Sequence, residues 1–262
     1  MNRFILMDGA MIHEAISTSR WFSAPSPLFA PLMPTKEHLL AGPILLADPI
    51  AREDANKAEV LRLMGAYPHR LHVAFLDSPL GLAELADHLR HYVYFGDDTG
   101  EAYGLRIADS RVMACLPQVL LPAQWDAMTR PIDQWHVHDR TGKTYALQLN
   151  ESRRERTDPS HPLHLTDEQI ARSMDEGEPD ALLSAIGRNP RATDPRHTQR
   201  HYDIARCCIE IWRWHQQQHN PRNPNREVLH VFARRVFASD GAWLLDDLRI
   251  RREINAVQAA LR

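Results

Sequence analysis

The chain has 262 residues, with 31 Lys+Arg against 34 Asp+Glu and a formal net charge of -3, so the basic footprint of a nucleic-acid-binding protein is absent. It is long enough to bury a real core, and two lobes are the better expectation than one large domain. Its three cysteines, Cys115, Cys207 and Cys208, form no CxxC pair, which excludes a disulfide framework or metal knuckle and suits a reducing cytoplasm.

Near the N-terminus FILMD (residues 4–8) is an apolar run ended by Gly9, as in an interior strand, and MIHEAIST after it reads as a helix. Asp8 interrupts the run before the apolar core of a signal peptide would be complete, and nowhere do about 18 apolar residues follow one another. A cytoplasmic location and no membrane partner are therefore expected. SAPSPLFAPLMPT carries four prolines in thirteen residues, which excludes regular structure there, while its apolar side chains argue for an ordered loop lying on the domain.

PILLAD (43–48) follows as a second buried strand, residues 52–67 as a helix, RLHVAFLDS (70–78) as a third strand and residues 79–91 as a helix. In that helix Leu82, Leu85, Ala86 and Leu89 share one face. YVYF and EAYGLRI flank a Gly-Asp-Asp-Thr-Gly tip, a hairpin by composition. Asp109 stands as N-cap of a helix over 111–121; a short helix over 122–128, a strand over 132–139 and a turn at Thr141-Gly142 complete a mixed α and β lobe.

NESRRERTDPSHP then changes the texture to that of a linker. The boundaries expected are an α/β lobe over 1–150, a linker over 151–162 and an all-helical lobe over 163–262, an α+β fold overall. The helical lobe opens with LTDEQI, where Thr166 and Gln169 have the spacing of a capping box. Helices over 180–186, 198–219, 226–238 and 243–261 follow.

The chain contains no GxSxG, HExxH, GxxxxGK[ST] or GxGxxG, so no catalytic residue and no cofactor is assigned. Two constellations of polar residues remain. His88, Arg90 and His91 fall on one helix; Arg106, Asp109 and Arg111 fall at a strand end and the following helix start. An Arg106–Asp109 pair would tie strand to helix, because a carboxylate at a helix N-terminus is favoured by the exposed amides there. Structural ion-pair networks also gather charged groups, and the cluster is read as a frame. His136 and His138 alternate on a strand and share a face, but no third ligand is fixed by spacing, so no metal is assigned. A metal-dependent hydrolase or nuclease using His88, His91, His136 and His138 is the alternative. Trp21, Phe22, Phe29 and Trp135 lie in or beside irregular segments and are candidate interaction aromatics, or else pin those segments to their own domain.

The order of these features resembles the domain of unknown function 4123 family. The strand FILMDGA, the serine-proline before the helix in HVAFLDSPLGLAELADHLRHYV, the acidic-glycine hairpin tip and LRIADSRVMACLPQVLLPAQWDAMTRPIDQW carry the likeness over residues 4–140. Its most specific part is HLR (88–90) followed by RxxDxRV, with Arg106, Asp109, Arg111 and Val112. The family usually reads Arg-x-Tyr-Asp-Pro-Arg, whereas this chain has Ala108 and Ser110 at the tyrosine and proline positions. The resemblance implies a non-enzymatic adaptor of the bacterial type VI secretion system. Such an adaptor binds one effector protein in the cytoplasm and helps load it onto the VgrG spike, with cargo choice in the variable helical lobe. An immunity protein is the remaining reading.

Overall fold

The structure, a computed structural model, describes residues 1–19, 28–33, 41–48, 56–149, 163–188, 197–219 and 225–261. Two compact units divide the chain, Met1–Asp175 and Glu176–Arg262. In chain order the first contains β1 (Asn2–Asp8), α1 (His13–Ser17), β2 (Phe29–Pro31), β3 (Pro43–Ala47), α2 (Lys57–Met64), β4 (Val73–Ser78), α3 (Leu82–Arg90), β5 (Tyr94–Gly96), β6 (Ala102–Gly104), α4 (Ser110–Val119), α5 (Pro122–Thr129), β7 (Gln134–His138), β8 (Thr144–Ala146), β9 (Leu163–His164) and the start of α6 (Asp167–Ala185).

Six strands form one antiparallel sheet in the order β2-β3-β1-β4-β7-β8. Alternation sorts their side chains. Phe4 and Leu6, Leu45, Ala74 and Leu76, and Trp135 and Val137 pack with Leu85 and Leu89 of α3, Met113 of α4 and Trp125 of α5. Their neighbours Ile5, Met7, Ile44, Leu46 and Val73 pack with Ile16 of α1 and Val60 and Leu63 of α2. Helices thus cover both faces of the sheet, which is why its central strands read as continuous apolar runs rather than as an alternation.

The proline-rich segment departs from expectation where it is described. Phe29–Pro31 pairs with β3 as an edge strand. Leu32 donates to Pro43 O and Ala47 to Leu28 O, so the ladder bonds fall beside Pro31, whose missing N–H costs nothing on an outer edge.

Two hairpins use one turn device. In Asp97-Asp98-Thr99-Gly100-Glu101, Asp97 Oδ1 accepts from the Thr99 and Glu101 amides and the Thr99 hydroxyl. In Asp139-Arg140-Thr141-Gly142-Lys143, Asp139 Oδ1 accepts from the Thr141 and Lys143 amides and the Thr141 hydroxyl. Gly100 (φ 86) and Gly142 (φ 85) take the left-handed position that closes each turn. The first device joins β5 to β6, the second β7 to β8.

The Thr166–Gln169 capping box forms: the Thr166 amide donates to Gln169 Oε1 and the Gln169 amide to Thr166 Oγ1. Leu163, Leu165 and Ile170, however, pack on the core of the first unit, and β9 pairs in parallel with β5. The second compact unit therefore begins later than the break in composition, inside α6. One helix also runs where two were expected, and it contains Gly177 and Pro179. Pro179 has no N–H for the carbonyl of Asp175, and the units divide at that residue. The linker expected over 151–162 lies outside the described residues.

The second unit continues with α7 (His197–His219), α8 (Arg226–Ala238), a 3-10 turn at Ala242–Leu245 and α9 (Asp247–Ala260). Its core joins Leu182 and Leu183 of α6, Ile204, Cys208 and Trp212 of α7, Phe232 and Val236 of α8, Trp243, and Ile254 and Val257 of α9. Among the described residues no helix is long and apolar enough to cross a membrane.

Candidate functional site

The two polar constellations separate in space into two latches, each with its own partners. The first stands at the end of β1. Asp8 and Asp109 are both buried, and Arg106 bridges them, with Nε 3.0 Å from Asp8 Oδ2 and Nη1 3.4 Å from Asp109 Oδ2. Arg111 grips Asp109 with both edges of its fork, Nε to Oδ1 at 2.9 Å and Nη2 to Oδ2 at 2.7 Å, the bidentate geometry for which arginine is suited. Asp109 Oδ1 also accepts the Arg111 amide as N-cap of α4, and Asp8 Oδ1 accepts the Met11 amide.

Two carboxylates and two guanidiniums make this cluster neutral, and every carboxylate oxygen is bonded. Burial pushes the Asp109 carboxyl upward, but the hydrogen bonds and charge of Arg111 and the charge of Arg106 outweigh it and hold it below the ordinary range. For Arg106, burial works against the charged form, and the charges of Asp8 and Asp109 more than restore it. Such a cluster can hold β1, the stretch before α4 and α4 itself in register; it offers no carboxylate poised as a base. The Arg106–Asp109 pair is the one expected from spacing. Asp8, the partner that completes the cluster, was missed, and its only signal was a carboxylate ending a buried apolar strand.

Ser110 extends this latch into the sheet. Its amide donates to Leu71 O, its hydroxyl to Val73 O, and the hydroxyl accepts the His138 amide. A proline at this position could not make the bond to Leu71.

The second latch lies on α3. His88 Nε2 donates to Met128 O at 2.9 Å, since a carbonyl can only accept. Arg90 pairs with Asp87 and donates from Nη2 to Pro31 O at 3.1 Å. HLR thereby ties α3 to α5 and to the edge strand β2. Burial lowers the His88 pKa, opposed by the bond to Met128.

His136 and His138 share a face, as alternation requires, and it is the face opposite the one that α3 covers. His138 is buried, with Nδ1 donating to Val73 O and its ring 6.0 Å from that of Phe75. His88 and His138 thus stand on opposite sides of the sheet. Among the described residues no group of three or more His, Cys, Asp or Glu could hold a metal ion.

Of the candidate interaction aromatics, Trp135 is corrected: it is fully buried in the main core, packed beneath the α3 face, and is not available to a partner. Phe29 is half-buried and packs on the opposite face of the sheet. Trp21 and Phe22 lie outside the described residues. In the second unit Trp212 is buried in the core, while Trp214, two residues on in the same helix, is exposed.

No curated protein and no solved structure matches the chain. A family model does: Domain of unknown function (DUF4123), over residues 3–127. The matched span runs from β1 into α5 and includes HLR, Asp8, Arg106, Asp109 and Arg111, so both latches lie in it apart from the Met128 carbonyl at its edge. The match to the DUF4123 family model thus covers residues 3–127, just under half of the chain.

Proposed function

We propose that this protein is a non-catalytic adaptor. It binds a cognate effector of the type VI secretion system in the cytoplasm and helps load it onto the VgrG spike. The observation that carries the reading is how the motif residues of the DUF4123 domain are spent. Arg106, Asp109, Arg111, His88 and Arg90 are all committed to bonds within the unit, the arrangement of a scaffold rather than of an active site that must present a base or nucleophile. Recognition would then fall to surface elsewhere. The second unit supplies exposed apolar side chains, Trp214, Leu245 and Leu248, of the kind that protein partners bury.

The test is genetic. Deleting the gene in the source bacterium should abolish secretion of one effector while other effectors and the spike still reach the medium, and the wild-type gene should restore it. Unchanged secretion of every effector would contradict the proposal.

A further inference from the structure

The second unit carries a groove of about 260 Å³ between α7 and α9, lined by Glu210, Ile211 and Trp214 on one side and Asp247, Ile250 and Arg251 on the other. Farther along, the two helices are joined by His215 Nε2 and Asn255 Oδ1, 2.9 Å apart. The floor is apolar, from Ile211, Ile250 and the Trp214 ring. Trp214 is 42 % exposed, and the Arg251 guanidinium lies over its ring at 5.2 Å. Two leucines stand in solvent, Leu245 at the end of the 3-10 turn before α9, at 96 %, and Leu248 in the first turn of α9, at 79 %.

Charge decides what this surface suits. Each wall carries one carboxylate, Glu210 from α7 and Asp247 from α9. Among the described residues Glu210 has a long, exposed pair with Arg206 one turn back on the same helix, at 3.7 Å, an interaction of little strength. Arg251, the one cation of the lining, is drawn over the tryptophan. The volume falls below the roughly 300–1,000 Å³ of small-molecule sites and suits one or two large side chains.

We infer that the α7–α9 groove is the docking site for an amphipathic helical segment of a partner protein, which seats an apolar side chain on Ile211, Trp214 and Ile250 and brings a Lys or Arg one turn away between Glu210 and Asp247. A helix laid on two helices buries residues at i, i+3 and i+4, which places a basic residue one turn from the anchor at the carboxylate walls. The inference rests on the adaptor reading for the identity of the partner, a secreted effector, but not for the chemistry of the site.

The experiment uses the full chain and two fluorescein-labelled helices, one of leucine and lysine alone and one of leucine and glutamate, read by fluorescence anisotropy. The leucine–lysine helix should bind at least about tenfold more tightly, a difference of about 1.4 kcal/mol. The double variant E210K/D247K should remove that preference, while E168K/E176K, the same charge change outside the groove, leaves it intact. Trp214→Ala should weaken binding several-fold with the circular dichroism unchanged. Equal binding of both helices, or a preference that survives E210K/D247K, overturns the inference. So does sedimentation showing a self-associated chain that Trp214→Ala makes monomeric, because the occupant is then a second copy. If an effector co-purifies equally with wild type and E210K/D247K, the groove inference fails and the adaptor reading stands. If the leucine–lysine helix binds as expected and no effector co-purifies, the adaptor reading fails and the groove stands.

Discussion

Arg106 donates from Nε to Asp8 Oδ2 at 3.0 Å, joining residues 98 apart in the chain, while its Nη1 reaches Asp109, the N-cap of α4. The two carboxylates have different dependants. Asp109 neutralises Arg111, shares Arg106 and caps a helix; Asp8 neutralises Arg106, which is 44 % exposed and can turn to water. Asp109→Ala should cost roughly 3–5 kcal/mol, because it removes the buried carboxylate that pairs with Arg111 and Arg106 and caps α4, and Asp8→Ala about 2 kcal/mol, since an exposed partner is screened. Hydrogen exchange of the β1 and α4 amides reads both, without assuming that two units unfold as one. Equal costs would contradict the assignment.

His72 is the pH-sensitive element. It is fully buried, donates from Nε2 to Leu63 O at the end of α2, and leaves Nδ1 with no hydrogen-bond partner among the described residues. Burial is the main cause of a pKa lowered to about 4. An unfolded chain takes up this proton near pH 6.5. Stability is therefore fully present above about 6.5 and falls as the pH drops from there through 4, by about 3 kcal/mol in all. Burial shifts His88 and His138 in the same direction. His72→Gln, which keeps a neutral donor for Leu63, should flatten the urea midpoint of the first unit across that window. An unchanged slope would place the titration elsewhere.

His69 and Arg70 occupy the left-handed region in succession, at φ 56 and φ 54, a conformation that costs a side-chain-bearing residue roughly 1–2 kcal/mol. Arg70 is exposed. Arg70→Gly should raise stability by about 0.5–1 kcal/mol, the gain from relieved strain being partly offset by the freer unfolded glycine. Thermal unfolding measures it, and a lower melting temperature would contradict it.

At the end of α8, Asp240 donates to Phe237 O and Gly241 to Val236 O, a Schellman pair that closes the helix. Gly241 has φ 73, and a Cβ there would stand 3.0 Å from Ile204 Cδ1 of α7. Gly241→Ala combines a disfavoured conformation with a crowded core and should destabilise the second unit by about 1–3 kcal/mol. Faster hydrogen exchange in α8, with the first unit unchanged, is the expected reading.

The elements legible in the sequence were those with strong local patterns. Leu82, Leu85, Ala86 and Leu89 announced α3, and the apolar runs announced β1, β3 and β4. Both hairpins showed through their glycines, though the shared role of Asp97 and Asp139 did not. What stayed hidden was set by pairing at a distance. β2 forms only because β3 offers an edge that tolerates Pro31, and β9 only because β5 accepts a parallel partner. The helix opening at LTDEQI and the one expected over 180–186 are a single helix, α6, which contains Pro179, a residue that local rules disfavour inside a helix. In the site, the Arg106–Asp109 pair lies within one turn of chain and was legible, whereas Asp8 comes from the far end of the unit. Trp135 lies in the strand expected over 132–139, and the alternation that puts His136 and His138 on one face turns it to the other, into the core.

The most direct measurement is affinity purification of the tagged full-length chain from the native cytoplasm after brief cross-linking, with the captured proteins quantified by mass spectrometry against a tag-only control. The adaptor account predicts enrichment of one secreted effector together with VgrG. Enrichment of neither, in cells that express both, would contradict it.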